Sequence, residues 1–262
     1  MSDNILEINN LSKYFGGLAA VSDCSIKVKR GTITGIIGRN GSGKTTLFNL
    51  IAGNLKSSGG NVFFDEENIT DVPSYELFSK GLLRTFQIAH EFSNLSVLEN
   101  LMMVPGNQSG EKIMTALFKP GLVAQEEAVV KEKAKEVVEF LNLGHLSNEL
   151  AGNLSGGHKK LLELGRTMMV DAKLVLLDEV GAGVNRTLLK DLGTAIEKLN
   201  NEKGYTFCMI EHDMDFIGRL CDPVIVMAEG SVLFEGSVEE AKKDEKVIES
   251  YLGRGSKLKD TN

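Results

Sequence analysis

The sequence predicts an α/β fold with a mixed β-sheet, an antiparallel β-region and an inserted helical region. Two short continuous apolar runs, TGIIG at 34–38 and KLVLLD at 173–178, are typical of buried strands in a parallel sheet. The stretches ILEI at 5–8 and SIKVK at 25–29 instead alternate apolar with polar residues, as half-exposed antiparallel strands do. From residue 91 to 153 helical spacing predominates, and no strand pattern there is of comparable strength.

The composition is that of a globular protein of modest size. Of the 262 residues, 42% are hydrophobic and 25% are charged, close to the average for soluble domains. A chain of this length can form one large or two small domains and can bury a sizeable core. The net charge of −7 argues against sequence-independent nucleic-acid binding, because that binding depends on Lys and Arg displacing counterions. We therefore expect no nucleic-acid partner.

Cysteine usage and the apolar pattern indicate a cytoplasmic protein. Cys24, Cys208 and Cys221 show neither metal-site nor disulfide spacing, so we interpret them as free thiols, buried as small hydrophobic residues. No apolar stretch approaches the roughly 20 residues of a membrane-spanning helix. The first ten residues also lack the basic and apolar regions of a signal peptide. Any role at a membrane would then require a membrane-embedded partner.

Strand and helix patterns alternate in the first third of the chain. The stretch NVFFD at 61–65 predicts a strand, and DEEN at 65–68 predicts a turn after it. A helix is expected near Ser74 to Lys80. The stretch RTFQ at 84–87 then predicts a short strand that ends at Gln87.

A helical insertion into the α/β core is the simplest interpretation of the next region. Ser96 with Glu99 three residues later forms a capping-box pattern, in which the two side chains satisfy free backbone N–H groups at a helix start. Apolar residues then recur at helical spacing from Val130 to Leu141. We assign residues 91–158 to this helical subdomain, and 1–90 with 159–236 to the α/β core that includes the antiparallel β-subdomain.

The C-terminal part, residues 237–262, is predicted to contain one helix and a loose tail. A second capping-box pattern, Ser237 with Glu240, opens a helix that we expect to run through Tyr251. The tail GRGSKLKDTN at 253–262 has little apolar surface to bury.

The most specific motif is GRNGSGKTT at 38–46, which fits the phosphate-loop pattern G-x-x-x-x-G-K-[ST]. Its glycines leave backbone N–H groups free to surround phosphate oxygens, and its lysine reaches the outer phosphates. The flanks agree, because 32–38 predicts a strand and 45–53 a helix whose N-terminus points at the nucleotide. The predicted ATP-binding residues of the loop are Gly38, Arg39, Asn40, Gly41, Ser42, Gly43, Lys44, Thr45 and Thr46.

A carboxylate pair is predicted to complete the site. The apolar strand that ends at Asp178 would deliver a carboxylate to the carboxyl edge of a parallel sheet, beside the phosphate loop. There Asp178 is predicted to hold the water shell of Mg²⁺, while the Thr45 hydroxyl binds the metal directly. Glu179 follows and is placed to polarise an attacking water as a general base.

Two further candidates, His212 and Gln87, each follow an apolar strand pattern. We predict that His212 reaches the γ-phosphate as a hydrogen-bond partner. The Gln87 amide can bind both metal and water, so Gln87 is a catalytic and a metal-binding candidate. An isolated histidine or glutamine is more often structural, so both assignments depend on the complete set of motifs.

This set of motifs resembles the ATP-binding cassette (ABC) family, over nearly the whole chain. The motifs occur in the family's order: the phosphate loop, Gln87, the signature LSGGH at 154–158, Asp178 with Glu179, AGVN at 182–185, and His212. The resemblance implies a P-loop NTPase (ABC ATPase) core with a mixed β-sheet, an antiparallel β-subdomain and an inserted α-helical subdomain. It also implies that two cassettes face each other head to tail, each ATP lying between one phosphate loop and the other cassette's signature.

The signature residues Ser155, Gly156 and Gly157 directly precede a helix pattern at 158–170, so they form a second helix-start anion site. Two positions depart from the family. His158 stands where the signature has Gln, and Val180 stands where the residue after the catalytic Glu is usually Pro. Neither change removes a phosphate ligand, and His158 could alter the coupling between the signature and the γ-phosphate.

The family also places an aromatic ring under the adenine, upstream of the phosphate loop. In KYFGG at 13–17 the matching position is Phe15, and Tyr14 is the alternative. Base–aromatic stacking contributes about 1–3 kcal/mol.

Within the family, the chain is similar to the ATP-binding subunits of branched-chain amino acid importers. The similarity rests on FGGLAAV at 15–21, RTFQ at 84–87, KIMTALFKPG at 112–121 and VIESYLGRG at 247–255. Subunits of lipopolysaccharide-export and urea-import systems are close alternatives. The resemblance implies membrane permease subunits as partners, a homodimer or a heterodimer with a second ABC ATPase, and indirectly a periplasmic or extracellular substrate-binding protein. The chain would lie on the inner face of the cell membrane.

Two other classes of function are less compatible with the sequence. Soluble cassette proteins of translation or DNA repair usually carry both cassettes in one chain, or long coiled-coil or zinc insertions. A regulatory module without turnover conflicts with the intact Glu179 and His212. For a transporter motor, Phe92 and Leu95 are candidates for the groove that receives the permease, with ordinary core packing as the alternative.

Overall fold

A computed structural model describes residues 2–85, 91–106, 108–111 and 113–252. The described chain divides into two compact units. The first, called the sheet unit below, consists of the described parts of Met1–Arg84, Lys173–Val180 and Glu197–Asn262. The second, called the helical unit, consists of the described parts of Thr85–Ala172 and Gly181–Ile196.

The strands of the described chain all belong to the sheet unit. In chain order they are β1 (Asn4–Phe15), β2 (Leu18–Lys29), β3 (Ile33–Ile37), β4 (Gly59–Phe64), β5 (Glu67–Asn68), β6 (Leu82–Arg84), β7 (Leu174–Asp178), β8 (Thr206–Ile210), β9 (Val224–Ala228) and β10 (Ser231–Gly236).

The larger sheet is mixed, as predicted. Its strand order is β10-β9-β3-β8-β7-β6. From β9 to β6 the neighbours pair in parallel, and β10 alone pairs antiparallel, with β9. Every residue of β3, β7 and β8 is buried, which explains their continuous apolar patterns. The carboxyl ends of these three strands therefore meet at one edge of the sheet.

The smaller sheet is antiparallel, with strand order β2-β1-β4-β5. Strand β2 alternates buried with exposed residues along its second half, because one face packs on the core and the other meets solvent. The strand expected at 61–65 is β4, and the turn after it has positive φ at Asp65 and Glu66. The antiparallel β-region of the prediction is thus confirmed.

The helices of the described chain, in order, are α1 (Lys44–Ile51), α2 (Ser74–Lys80), α3 (Val97–Met102), α4 (Ile113–Phe118), α5 (Pro120–Phe140), α6 (Gly156–Met168), α7 (Arg186–Lys203), α8 (Met214–Leu220), α9 (Val238–Ala241) and α10 (Glu245–Leu252). None of these helices combines the length and the apolar character that crossing a bilayer requires.

Helix α1 is anchored by its apolar face. Leu47, Phe48 and Ile51 are at most 1% exposed, in the same core cluster as Ile36 of β3 and Leu176 of β7. Burying a large apolar side chain contributes about 1.5–3 kcal/mol. This packing holds the start of α1 at the carboxyl edge of the larger sheet.

The helical unit is organised around a glycine contact and a buried amide. A Cβ on Gly165 of α6 would lie 2.7 Å from Leu141 and 3.2 Å from Leu101, so the glycine permits close packing between helices. Asn100 of α3 is fully buried, and its amide donates to the carbonyl of Phe92 at 3.0 Å. The capping box of Ser96 and Glu99 is present as predicted.

Two expectations about element boundaries are wrong. The final helix is not continuous, because α9 ends at Ala241 and Asp244 starts α10 by accepting a hydrogen bond from the backbone N–H of Val247 at 2.9 Å. The strand expected to end at Gln87 ends at Arg84, and Gln87 lies outside the described residues.

The three cysteines are free and buried, as expected. Burial raises the pKa of the Cys24 and Cys208 thiols to about 12, and it raises the pKa of Cys221 as well. Thiols protonated to this degree are poor nucleophiles. The cysteines therefore act as packing residues.

Candidate functional site

The loop at 38–43 joins buried β3 to α1 through backbone conformations that favour glycine. Gly38 and Gly43 have φ values of 153° and 101°. A Cβ on Gly38 would lie 2.3 Å from the Met227 carbonyl oxygen, and a Cβ on Gly43 would lie 2.4 Å from that of Ala20. These distances exclude any side chain. Gly38 and Gly43 are therefore required by close backbone approach as well as by φ.

The start of α1 presents unused hydrogen-bond donors. Within the described chain, the backbone N–H groups of Gly43, Lys44, Thr45 and Thr46 have no hydrogen-bond acceptor. The first N–H groups of any helix lack intrahelical partners, and with the helix dipole they attract anions. Arg39, Asn40, Gly41 and Thr45 are exposed, whereas Ser42 is buried.

Lys44 places a cation inside the loop. Its side chain is buried, and Nζ donates to the carbonyls of Gly38 at 2.7 Å and Arg39 at 3.0 Å. Burial lowers the pKa of Lys44, while the charges of Glu179 and Asp178 act in the opposite direction. A buried ammonium group among free N–H donors fits a polyphosphate anion, the group that ATP would bring.

Asp178 ends β7 and is 1% exposed. Its Oδ2 accepts a hydrogen bond from Nη2 of Arg84 at 2.7 Å. Arg84 ends β6, the neighbouring strand. The sequence reasoning missed this residue, although a single basic residue at the end of an apolar strand pattern was the available signal.

Glu179 and His212 are brought together across neighbouring strands. Nε2 of His212 lies 2.9 Å from Oε1 of Glu179, although the two residues follow different strands, β7 and β8. Glu179 has a φ of 48° and its N–H donates to the Ile210 carbonyl at 2.9 Å. The left-handed conformation costs a non-glycine residue about 1–2 kcal/mol, and such strain clusters at functional sites.

The donor set suits Mg²⁺ better than a metal held by protein alone. No cluster of three or more His, Cys, Asp or Glu side chains occurs in the described part of the chain. Mg²⁺ typically uses one or two carboxylates together with substrate phosphates. Thr45, exposed on α1, and Asp178 at the sheet edge match that pattern.

In the helical unit, the signature residues start α6. Ser155 is the N-cap residue, and its Oγ accepts from the backbone N–H of His158 at 3.4 Å and lies 2.9 Å from His158 Nδ1. Gly156 is exposed, and a Cβ on Gly157 would lie 2.5 Å from Leu188. His158, the departure from the family pattern, therefore contacts the signature serine directly.

The imidazole of His158 has a second histidine beside it. The rings of His145 and His158 are 6.3 Å apart and nearly perpendicular. Burial lowers the pKa of His158 and the positive charge of His145 lowers it further, while Asp191 acts in the opposite direction. His158 is thus held toward its neutral form.

The remaining candidates are apolar. Phe15 and Tyr14 are 48% and 50% exposed, so either ring is accessible for stacking, and Lys13 Nζ lies 5.2 Å from the Phe15 ring centre. Phe92 is exposed, with the Arg166 guanidinium 5.5 Å from its ring centre, and Leu95 is half-buried.

Known proteins resemble this chain closely. The family model described as ABC transporter matches residues 21–182. A probable branched-chain amino acid transport ATP-binding protein LivG of Archaeoglobus fulgidus is 43% identical, with 95% of each chain covered. The high-affinity branched-chain amino acid transport ATP-binding protein BraF of Pseudomonas aeruginosa is 35% identical, covering 97% of this chain and 99% of that protein.

Solved structures agree with these relatives. A nucleotide-free ATP-binding cassette from an ABC transporter matches with a TM-score of 0.82 at 40% identity, covering 95% of this chain and 99% of the other. An ATP-binding cassette of an ABC transporter in its ADP conformation matches with a TM-score of 0.81 at 39% identity, covering 96% and 100%. The chain therefore belongs to the ABC transporter family, as an ATP-binding cassette that binds ATP with Mg²⁺ and hydrolyses it.

Proposed function

We propose that this chain powers an importer of branched-chain or similar amino acids by hydrolysing ATP at the loop 38–46. The observation that carries the proposal is the grouping, within the sheet unit, of buried Lys44 and free N–H donors with Asp178, Glu179 and His212. The substrate class is supported by the relatives that align over almost the whole chain, which are branched-chain amino acid transport ATP-binding proteins.

The phosphate loop binds the β- and γ-phosphates of ATP. In the described part of the chain, the N–H groups at 43–46 have no acceptor, so they are available to the phosphate oxygens. Lys44 supplies a positive charge, and its attraction to the phosphates is stronger in a buried site because less water screens it. Phe15, or Tyr14 in its place, stacks on the adenine.

Glu179 is the general base, and His212 positions it. A deprotonated Glu179 carboxylate accepts a hydrogen bond from Nε2–H of His212 at the observed 2.9 Å. This contact restricts the rotation of the carboxylate while its remaining lone pairs can accept a proton from water. His212 is 46% exposed, so it can also reach a γ-phosphate.

The metal would be held by the Thr45 hydroxyl and, through water, by Asp178, with Gln87 as a further candidate. Mg²⁺ supplies charge neutralisation of the phosphates in the transition state. Asp178 is already held by Arg84, so the carboxylate is oriented by the protein.

The signature at Ser155, Gly156 and Gly157 acts on the nucleotide of a second cassette. Ser155 and Gly156 are exposed at the start of a 13-residue helix, where donors for an anion are available. We propose a dimer, either of two copies or with a related ATPase. ATP closes this dimer, and hydrolysis reopens it.

The remaining partners are membrane permease subunits. A substrate-binding protein outside the membrane delivers the transported substrate to these subunits. The chain docks on them at the inner face of the membrane, with Phe92 and Leu95 in the docking surface. Phe92 supports this role because half of its surface is exposed.

The deciding experiment is affinity purification of the tagged Glu179→Gln chain from detergent-solubilised membranes of its host, with ATP and Mg²⁺. We expect multi-helix permease subunits by mass spectrometry, together with a second cassette if the dimer is mixed. Lys44→Ala, purified in parallel, controls for contacts that do not depend on ATP.

Three other outcomes would contradict parts of the proposal. Recovery of ribosomal or DNA-associated proteins alone would favour a soluble cassette. Recovery of lipopolysaccharide-export or urea-transport subunits would redirect the substrate assignment. An equal yield of the partner cassette with Lys44→Ala would contradict the proposed role of ATP in closing the dimer.

A further inference from the structure

Arg84 holds the Asp178 carboxylate by a direct ion pair. Its Nη2 donates to Asp178 Oδ2 at 2.7 Å, and the two side chains are 12% and 1% exposed. Removal of one partner of such a buried ion pair is strongly destabilising. The contact therefore restricts the orientation of the carboxylate strongly.

The other arm of the guanidinium reaches α1. Nη1 of Arg84 donates to Oδ1 of Asn49 at 2.7 Å, and the guanidinium carbon lies 5.9 Å from the centre of the Phe48 ring. The rigid planar fork of arginine can make these two directional contacts at once, which the single ammonium group of lysine does not reproduce. Arg84 therefore ties α1 to the end of β7.

Asn49 and Thr45 share a face of α1. They are four residues apart, and side chains at this spacing lie one above the other on a helix. Thr45 and Asp178 are the two described residues that the proposed function assigns to the metal. The contacts from Asn49 through Arg84 thus join the helix of one metal residue to the carboxylate of the other.

We propose that Arg84, held by Asn49, is a positioning residue that fixes the Asp178 carboxylate relative to Thr45 for Mg²⁺ bound with ATP. This inference rests on the proposed function. Arg84 acts only through Asp178, by occupying Oδ2 and so determining the direction in which the rest of the carboxylate faces. Residues that hydrogen-bond to metal ligands in this way tune metal affinity.

The test measures Mn²⁺ binding to the ATP complex by electron paramagnetic resonance, in the Glu179→Gln background to prevent turnover. Arg84→Lys keeps the charge and loses the fork, and we expect it to raise the Mn²⁺ dissociation constant by about tenfold. Asn49→Ala keeps the ion pair and loses its support on α1, so we expect a smaller increase. ATP binding in EDTA should be unchanged in both variants.

Arg30→Lys is the matched control, since it alters another Arg–Asp pair of the sheet unit, the one with Asp65. Its Mn²⁺ affinity should equal that of the parent. If Arg84→Lys does not fold, as judged by circular dichroism, Asn49→Ala decides the question alone.

Two results would overturn the inference. One is unchanged Mn²⁺ affinity in the folded variants. The other is a loss of ATP affinity in EDTA as large as the loss of Mn²⁺ affinity, which would mean damage to the phosphate loop. If the Glu179→Gln parent shows no nucleotide-dependent Mn²⁺ binding, that result would overturn the proposed function itself, and this inference with it.

Discussion

Two helix starts in this molecule offer N–H groups to an anion, and they are built differently. The loop before α1 has no capping side chain and encloses the Lys44 ammonium, which donates to the Gly38 carbonyl at 2.7 Å. The start of α6 is capped by Ser155, whose Oγ contacts His158 Nδ1 at 2.9 Å. The first start leaves donors free beside a buried charge, while the second satisfies one of its own donors.

We expect this difference to separate an anion site that works alone from one that acts on a phosphate already bound by a partner. Free donors and a buried cation bind phosphate without further components. The capped start contributes fewer free donors, so we expect it to add to a phosphate already held elsewhere. Substitutions at the two helix starts and at the carboxylates beside the first one test this expectation.

Glu179→Gln should lower the ATPase rate by about a hundredfold to ten-thousandfold, while ATP still binds. The amide keeps the shape of the side chain but cannot accept the proton from water. Steady-state hydrolysis and nucleotide titration measure the two effects. Glu229→Gln is the control, because Glu229 is exposed and also has a positive φ, 50°. A hydrolysis rate within tenfold of that of the unaltered chain would show that Glu179 is not the general base.

Lys44→Ala should lower hydrolysis by about a hundredfold to thousandfold, as removal of a preorganised donor does, and should weaken ATP binding as well. The buried positive charge is the main difference between the two helix starts. Isothermal titration with ATP and an ATPase assay measure the change, with exposed Lys29→Ala as control. Unchanged ATP affinity would mean that the free N–H groups alone suffice.

Phe15→Ala should weaken ATP binding by about 1–3 kcal/mol through lost base stacking. Tyr14→Ala is the matched variant, because the Tyr14 ring is as exposed as the Phe15 ring. We expect Tyr14 to contribute little to ATP binding. A fluorescent-nucleotide titration compares the two. A larger loss of ATP affinity with Tyr14→Ala would assign the adenine stacking to Tyr14 instead of Phe15.

Ser155→Ala should destabilise the protein by about 0.5–2 kcal/mol, because an N-cap residue is lost. ATP affinity of the dilute single chain should remain unchanged, since this helix start does not hold phosphate alone. Urea unfolding and nucleotide titration measure the two quantities. Ser155→Thr keeps a capping hydroxyl and should restore most of the stability. A parallel fall in ATP affinity would contradict the distinction between the two starts.

The smallest effect concerns His158. Burial lowers its pKa below the ordinary value, so the folded state binds fewer protons than the unfolded state, and stability must rise with pH through this range. The gain should be complete above the ordinary histidine pKa of about 6.5 and should be lost as pH falls toward the lowered value. Melting temperatures of the unaltered chain and His158→Gln, from about pH 5 to pH 8, measure the difference. Parallel pH curves would disprove the effect.

Local patterns predicted much of the fold because the physics there is local. The glycines and Lys44 of the phosphate loop lie within one turn and one helix start. The capping box of Ser96 and Glu99 spans three residues, and both of its hydrogen bonds are present. The predicted helix through Tyr251 failed for an equally local reason, since Asp244 offers its side chain as a new helix start.

Contacts across the sheet could not be predicted in the same way. Arg84 and Asp178 are 94 positions apart, and His212 and Glu179 are 33 apart. Each contact depends on which strands become neighbours, and the apolar patterns of β6, β7 and β8 do not specify that order. His158 was noticed as a departure from a motif, but its hydrogen bond to Ser155 required the geometry of the helix start.

The family and the phosphate-loop motif, with its candidate nucleotide-binding residues, could be predicted from short spacings and from backbone conformations that glycine tolerates best. The side chains that contact the Asp178 and Glu179 carboxylates followed only from the tertiary structure. Parallel strand pairing brings Arg84 to Asp178 and His212 to Glu179. The physical reason is that side-chain contacts between strands arise from packing free energy summed over the whole core.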